Sequence, residues 1–152
     1  MTSKRTRLRE LGIKVGALPV GPWNAITDVP GVEVGHATVQ EDTPAVLRTG
    51  VTAILPLGKN KLWSHGAFAG SSVFNGYGEM TGRGWLEEAG QLSSPILLTS
   101  YYGVGAVHRG INQLCDDKDT HSGTHPIVAE TWDGWLSDPN AFALTTEHVA
   151  EA

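Results

Sequence analysis

Residues 95–114 read PILLTSYYGVGAVHRGINQL, and the stretch changes period in its middle. Pro95 to Ser100 is a short apolar run of strand length. From Gly103 to Leu114, the residues Val104, Val107, Ile111 and Leu114 recur at helical spacing, which predicts a helix with one apolar stripe. A further strand is predicted at Ile127 to Thr131. Strand and helix alternate in this half of the chain but not in the other, so a mixed sheet with helices packed on it fits better than a doubly wound nucleotide-binding pattern.

Toward the N-terminus the strand signals are denser. Val32, Val34, His36 and Thr38 alternate with Glu33, Gly35, Ala37 and Val39, which predicts a strand over 32–39. Residues 40–50 read as a polar connection. Val51 to Leu57 is a continuous apolar run, as in a strand covered on both faces. Ala67 to Phe74 is a third strand candidate built from small residues. The turn-rich NGYGEMTG follows at 75–82. Thr81 there reads as the cap of a short helix carrying Trp85, Leu86 and Ala89, with Gly90 at its C-terminus.

The remaining segments are connections and ends. Residues 1–10 form a polar arm. Residues 16–31 (GALPVGPWNAITDVPG) read as an ordered loop with Leu18, Val20, Trp23 and Ile26 to bury. Residues 116–125 are a polar loop, and WDGWLSDPN at 132–140 is turn chemistry. Thr145 or Thr146 opens a last helix with Glu147 in its first turn, where the dipole favours a carboxylate. That helix is only about two turns old at Ala152, so the expectation is a single partial domain over 1–152 that continues further.

Composition excludes several classes of function. Eleven basic against sixteen acidic residues give a net charge of -5, which does not suit phosphate-backbone binding, so no nucleic-acid partner is expected. The basic run Lys4, Arg5, Arg7, Arg9 reads as a solvated tail. Cys115 is the single cysteine, so the fold does not depend on an internal disulfide. No apolar run approaches the roughly 18 residues of a membrane span. The polar, basic start lacks an apolar signal region, and a cytoplasmic location is expected.

Several residues invite chemistry. Glu130 ends the apolar run PIVAE, where a carboxylate can anchor an ammonium or simply bond a neighbouring loop. Trp132 and Trp135 flank Asp133-Gly134, as site lining or as packing. Asn75-Gly76 is a strong turn dipeptide that can also edge a site. Gly103-Val104-Gly105 opens a helix after a strand but lacks the third glycine and the downstream acid of a dinucleotide fingerprint. Close packing of helix on strand is the alternative to phosphate binding there. His121, His125 and Cys115 are too few for a closed zinc site, and no metal or other cofactor is expected. Aspartates after Cys115 disfavour a thiolate. His36, His65, His108 and His148 are scattered.

Four segments carry a resemblance. They are GALPVGPWNAITDVPGVEVGH (16–36), FNGYGEMTG (74–82), PILLTSYYGVGAVHRGI (95–111) and PIVAETWDGWLSD (126–138). In order and spacing the chain resembles the self-processing aminopeptidases that include the D-aminopeptidase/esterase DmpA and the β-peptidyl aminopeptidases, peptidase family S58. The resemblance implies an α+β fold, an αββα four-layer sandwich of which this chain holds only part. It implies an inactive precursor that cuts itself before an internal serine. The new N-terminal serine of the β polypeptide is then the nucleophile of an aminopeptidase acting on peptides, amides or esters with D-, small L- or β-aminoacyl ends. No cofactor is needed, and αβ units assemble as oligomers.

By that resemblance Glu130 holds the substrate ammonium, and Asn75 and Gly76 lie close to the active site. The position of Trp132 is often aromatic in relatives, frequently tyrosine. A tyrosine hydroxyl can bond a developing oxyanion, whereas tryptophan offers only its indole N–H. The Gly-rich processing segment and its serine would fall beyond residue 152, so no catalytic residue is expected in this chain, which alone should be inactive. Its partners would be the remainder of its precursor and an aminoacyl substrate. Two rivals stand beside this: a non-catalytic binding or assembly fragment of the same fold, and a small nucleotide-binding domain resting on the GxG. If half of a sandwich is absent, a large apolar surface should be bare.

Overall fold

The computed structural model describes residues 6–61, 64–116 and 125–152. Lys4 and Arg5 of the basic run, His121, and the loop from 117 to 124 lie outside the described residues. Strands β1 (Glu33–Glu41), β2 (Leu47–Leu55), β5 (Ile96–Ser100) and β6 (Ile127–Thr131) form one sheet in the order β1-β2-β5-β6. β1, β2 and β5 run antiparallel, and β6 joins β5 in parallel, so the sheet is mixed as predicted. β3 (Ala67–Phe68) and β4 (Gln91–Leu92) make a separate two-stranded ribbon that flanks helix α1 (Arg83–Ala89). Helices α2 (Val104–Asp116) and α3 (Glu147–Glu151) pack on one face of the four-stranded sheet.

The apolar stripe predicted for α2 makes the core. Val104, Val107, Ile111 and Cys115 face Ala37, Val51, Ala53, Leu97 and Val128 of the sheet, with Val149 of α3 closing the group. Val107 and Val128 have no exposed surface, which at about 25 cal/mol per Å² makes this the main stabilising contact of the fold. Successive residues of β6 point to opposite faces. Val128 joins this core, while its neighbour Ile127 joins a smaller cluster with Leu86 of α1 and Leu92 of β4.

Some boundaries differ from the predicted ones. β2 begins at Leu47, inside the expected polar connection, because β1 supplies a hydrogen-bonding partner along the whole of 47–55 whatever the side chains are. The third strand shrinks to Ala67–Phe68, since only Gln91–Leu92 pairs with it. Phe68 and Phe74 are almost wholly exposed.

Thr81 does not cap α1. Its hydroxyl donates to the Pro126 carbonyl (2.7 Å) and accepts from the Val128 N–H (3.0 Å), which ties it to the sheet edge. Gly82 takes the cap position with φ of 69°, and a side chain there would come within 2.6 Å of the His125 carbonyl. Only glycine meets both demands. Gly90 ends the helix as expected.

The 16–31 loop is ordered but not buried. The Asp28 carboxylate accepts from the N–H groups of Trp23 (2.8 Å) and Ala25 (3.1 Å), and Arg7 donates to the Trp23 carbonyl (2.9 Å). Leu18, Val20, Trp23 and Ile26 nevertheless remain between 48% and 84% exposed. Their apolar surface needs cover that the described residues do not provide. No helix among those residues is long and apolar enough to cross a membrane.

Candidate functional site

The site forms at the outer edge of β6. Residues Glu79 to Thr81 run antiparallel beside it, with a bridge between Met80 and Ala129. The Glu130 N–H donates to the Glu79 carbonyl (3.1 Å), and the Thr81 N–H donates to the Val128 carbonyl (3.0 Å). Together with the Thr81 hydroxyl, these bonds pin the turn-rich segment to the strand that carries Glu130. Residues distant in sequence are thereby brought to one place.

There they surround a cavity of about 260 Å³, whose lining includes Ser71, Phe74, Asn75, Glu79, Arg83 and Glu130. Asn75 turns its carbonyl Oδ1 to the Tyr77 N–H (3.0 Å), a local Asx turn that leaves its amide NH₂ without a protein partner among the described residues. Glu79 Oε1 accepts from the Met80 N–H (3.0 Å). Glu130 differs from these neighbours. Its Oε2 is buried and accepts no hydrogen bond from the described residues. A buried carboxylate oxygen without a donor is costly, on the order of 1–3 kcal/mol and more when charged. A buried acceptor of this kind suits a cationic or N–H donor.

The other candidates lie differently. Gly76 belongs to the same turn as Asn75, with open space where a side chain would be. Trp132 is 59% exposed and stands outside the lining of this cavity, its indole lying across Gly134. Trp135 is exposed. Gly103 is buried against Leu144 and Thr99, and a Cβ there would stand 2.6 Å from Leu144 Cδ1. Close packing therefore accounts for Gly103, whereas Gly105 has open space where a side chain would be. The His125 ring lies 5.2 Å from that of Trp85, centroid to centroid. Among the described residues no group of three or more His, Cys, Asp or Glu lies together in a form that holds a metal.

Arg83 and Ser71 were not singled out in the sequence. Arg83 is the first residue of α1, where a cation works against the helix dipole. That is the one local sign that its position serves something other than helix stability. Two further buried side-chain oxygens without partners among the described residues, Thr49 Oγ1 and Asp133 Oδ1, belong to residues lining a separate cavity of about 190 Å³ at the C-terminal end of β5.

Comparison with known proteins places this geometry. The sequence model of peptidase family S58 matches residues 24–152. The β-peptidyl aminopeptidase BapA of Sphingosinicella microcystinivorans is 41% identical over 153 residues, covering 96% of this chain and 38% of that protein. A β-aminopeptidase structure from Burkholderia sp. superposes with a TM-score of 0.88 at 41% identity, over 97% of this chain and 42% of the other. The L-aminopeptidase D-Ala-esterase/amidase of Ochrobactrum anthropi, described as a prototype of the serine aminopeptidases and a variant of the Ntn hydrolase fold, gives 0.83 at 38% identity. It is matched over 97% of this chain and 44% of its own. The chain thus spans well under half the length of the relatives it matches. The mixed sheet and its helices are part of the α+β sandwich of the DmpA type, and the chain belongs to peptidase family S58.

Proposed function

We propose that this chain is the N-terminal portion of the α polypeptide of a self-processing aminopeptidase or amidase, and that Glu130 binds the free ammonium of the substrate. The observation that carries the assignment is the Glu130 carboxylate, with Oε2 buried and without a hydrogen-bond partner among the described residues, at a cavity that also holds Asn75. An exopeptidase must recognise a terminus, and an N-terminal ammonium supplies the donors this oxygen lacks. Anchoring that end also fixes where the scissile carbonyl lies, which turns binding into orientation.

The chemistry would be acyl transfer by the N-terminal serine of a β polypeptide, through a tetrahedral intermediate and an acyl-enzyme that water resolves. Asn75 and Gly76 would edge the site, and Trp132 would stand where relatives often carry tyrosine. The activity would need no cofactor, and αβ units would assemble as oligomers in the cytoplasm. Similarity to the named aminopeptidases supports the reaction class.

Glu130→Gln in the full-length product tests the assignment. It should lower kcat/KM on aminoacyl p-nitroanilides by about a hundredfold, the scale of a lost charged hydrogen bond. Processing and melting temperature should stay as in the parent. Activity within a factor of two or three of the parent would remove Glu130 from the role.

A further inference from the structure

The cavity beside Glu130 holds a cation as well as carboxylates. Arg83 lines it, and its Nε meets Glu87 Oε1 at 3.4 Å across one helical turn, with both side chains about half exposed. Glu87 Oε1 also accepts from the Ser71 hydroxyl (3.3 Å). The pair therefore holds the guanidinium at its base. Nη1 and Nη2 have no protein acceptor among the described residues. A planar fork with both terminal nitrogens unengaged suits bidentate binding of a carboxylate. The amide NH₂ of Asn75, in the same lining, is a further donor.

Resting on the reading of Glu130 as ammonium anchor, we infer that Arg83 is a specificity-determining residue that selects substrates carrying a carboxylate. One cavity of about 260 Å³ then reads both charges of a small zwitterion. The ammonium goes to Glu130, and the carboxylate goes to Arg83 with help from Asn75. Glu79 is the remaining carboxylate of the lining, and its Oε1 is engaged by its neighbour's backbone, so Arg83 is the group that meets an incoming anion. The anion has two chemical sources: the C-terminal carboxylate of a dipeptide, or the acidic side chain of an N-terminal residue.

The test compares the parent with Arg83→Gln and Arg83→Lys in the processed full-length protein. Substrates are alanyl-glycine against alanyl-glycinamide, and aspartyl p-nitroanilide against alanyl p-nitroanilide. The parent should favour the carboxylate-bearing member of one pair. Arg83→Gln should raise its KM about tenfold while leaving kcat/KM on the neutral member within a factor of two, and Arg83→Lys should fall between. A preference in the dipeptide pair assigns the C-terminal carboxylate, and one in the anilide pair assigns the side chain. Equal KM for parent and Arg83→Gln on both pairs overturns the inference, as does an equal loss on neutral substrates. No turnover of any substrate by a folded, processed parent instead removes the aminopeptidase reading beneath it.

Discussion

At the scale of the residue, buried polar atoms and missing side-chain atoms decide most. Glu130 could be singled out as a carboxylate at the end of an apolar strand, and among the described residues its Oε2 has no hydrogen-bond partner. Arg83 was not legible. Its place in the cavity depends on Thr81 pinning the 79–81 segment to β6, a contact that no local pattern announces. Gly103 illustrates a motif whose plainer meaning holds. Gly103→Ala should cost about 1–3 kcal/mol, since the new Cβ overlaps Leu144 Cδ1 and Thr99 Oγ1. The same change in a Leu144→Ala background should cost less than the two changes summed, read from urea midpoints. Strict additivity would mean that the overlap with Leu144 is relieved some other way.

At the scale of the element, apolar periodicity located α2 and the centres of β1, β2, β5 and β6. It failed where tertiary hydrogen bonds set the limits. Arg48 and Thr49 extend β2 because β1 pairs with them, and Thr81 abandons its capping role for the sheet edge. Thr81→Val should therefore lower stability by about 1–3 kcal/mol, leaving the Val128 N–H without its acceptor. It should also slow turnover by loosening the segment beside Glu130. Stability equal to the parent in chemical denaturation would contradict the clamp.

Helix α3 makes a prediction in pH. The Thr145 hydroxyl and the backbone N–H of Glu147 bond its carboxylate and hold its pKa below the ordinary value. A depressed carboxylate stabilises the folded state above its unfolded pKa, and the contribution disappears as pH falls through the folded one. Glu147→Gln should lower stability slightly at neutral pH and leave it unchanged at acid pH, so the acid-side loss shrinks by that small amount. An unaltered acid limb of the melting-temperature profile would show that these bonds do not persist in solution.

At the scale of the whole molecule, the described residues build a four-stranded sheet with α2 and α3 on one face, and they leave much apolar surface uncovered. Leu18 and Trp23 on the 16–31 loop, and Phe74 and Tyr77 beside the cavity, are each more than 60% exposed. Monomeric proteins seldom leave such surface bare. Residues 1–152 produced alone should therefore self-associate, as seen by light scattering, whereas a monodisperse monomer at micromolar concentration would show that the surface needs no cover. The sequence conveyed the sheet, the core helix and the family, because those rest on local pattern and on motifs in order. It could not convey what covers the 16–31 loop, since apolar residues in a loop look alike whether they face their own core or another polypeptide.

On the proposed reading, this chain works as part of a self-processing aminopeptidase. Intact mass combined with turnover of an aminoacyl p-nitroanilide by the product of the full gene checks this. The expected result is two polypeptides, the second beginning with serine, and release of p-nitroaniline. A single unprocessed chain without turnover would contradict it and leave a fragment of the family fold that binds or assembles.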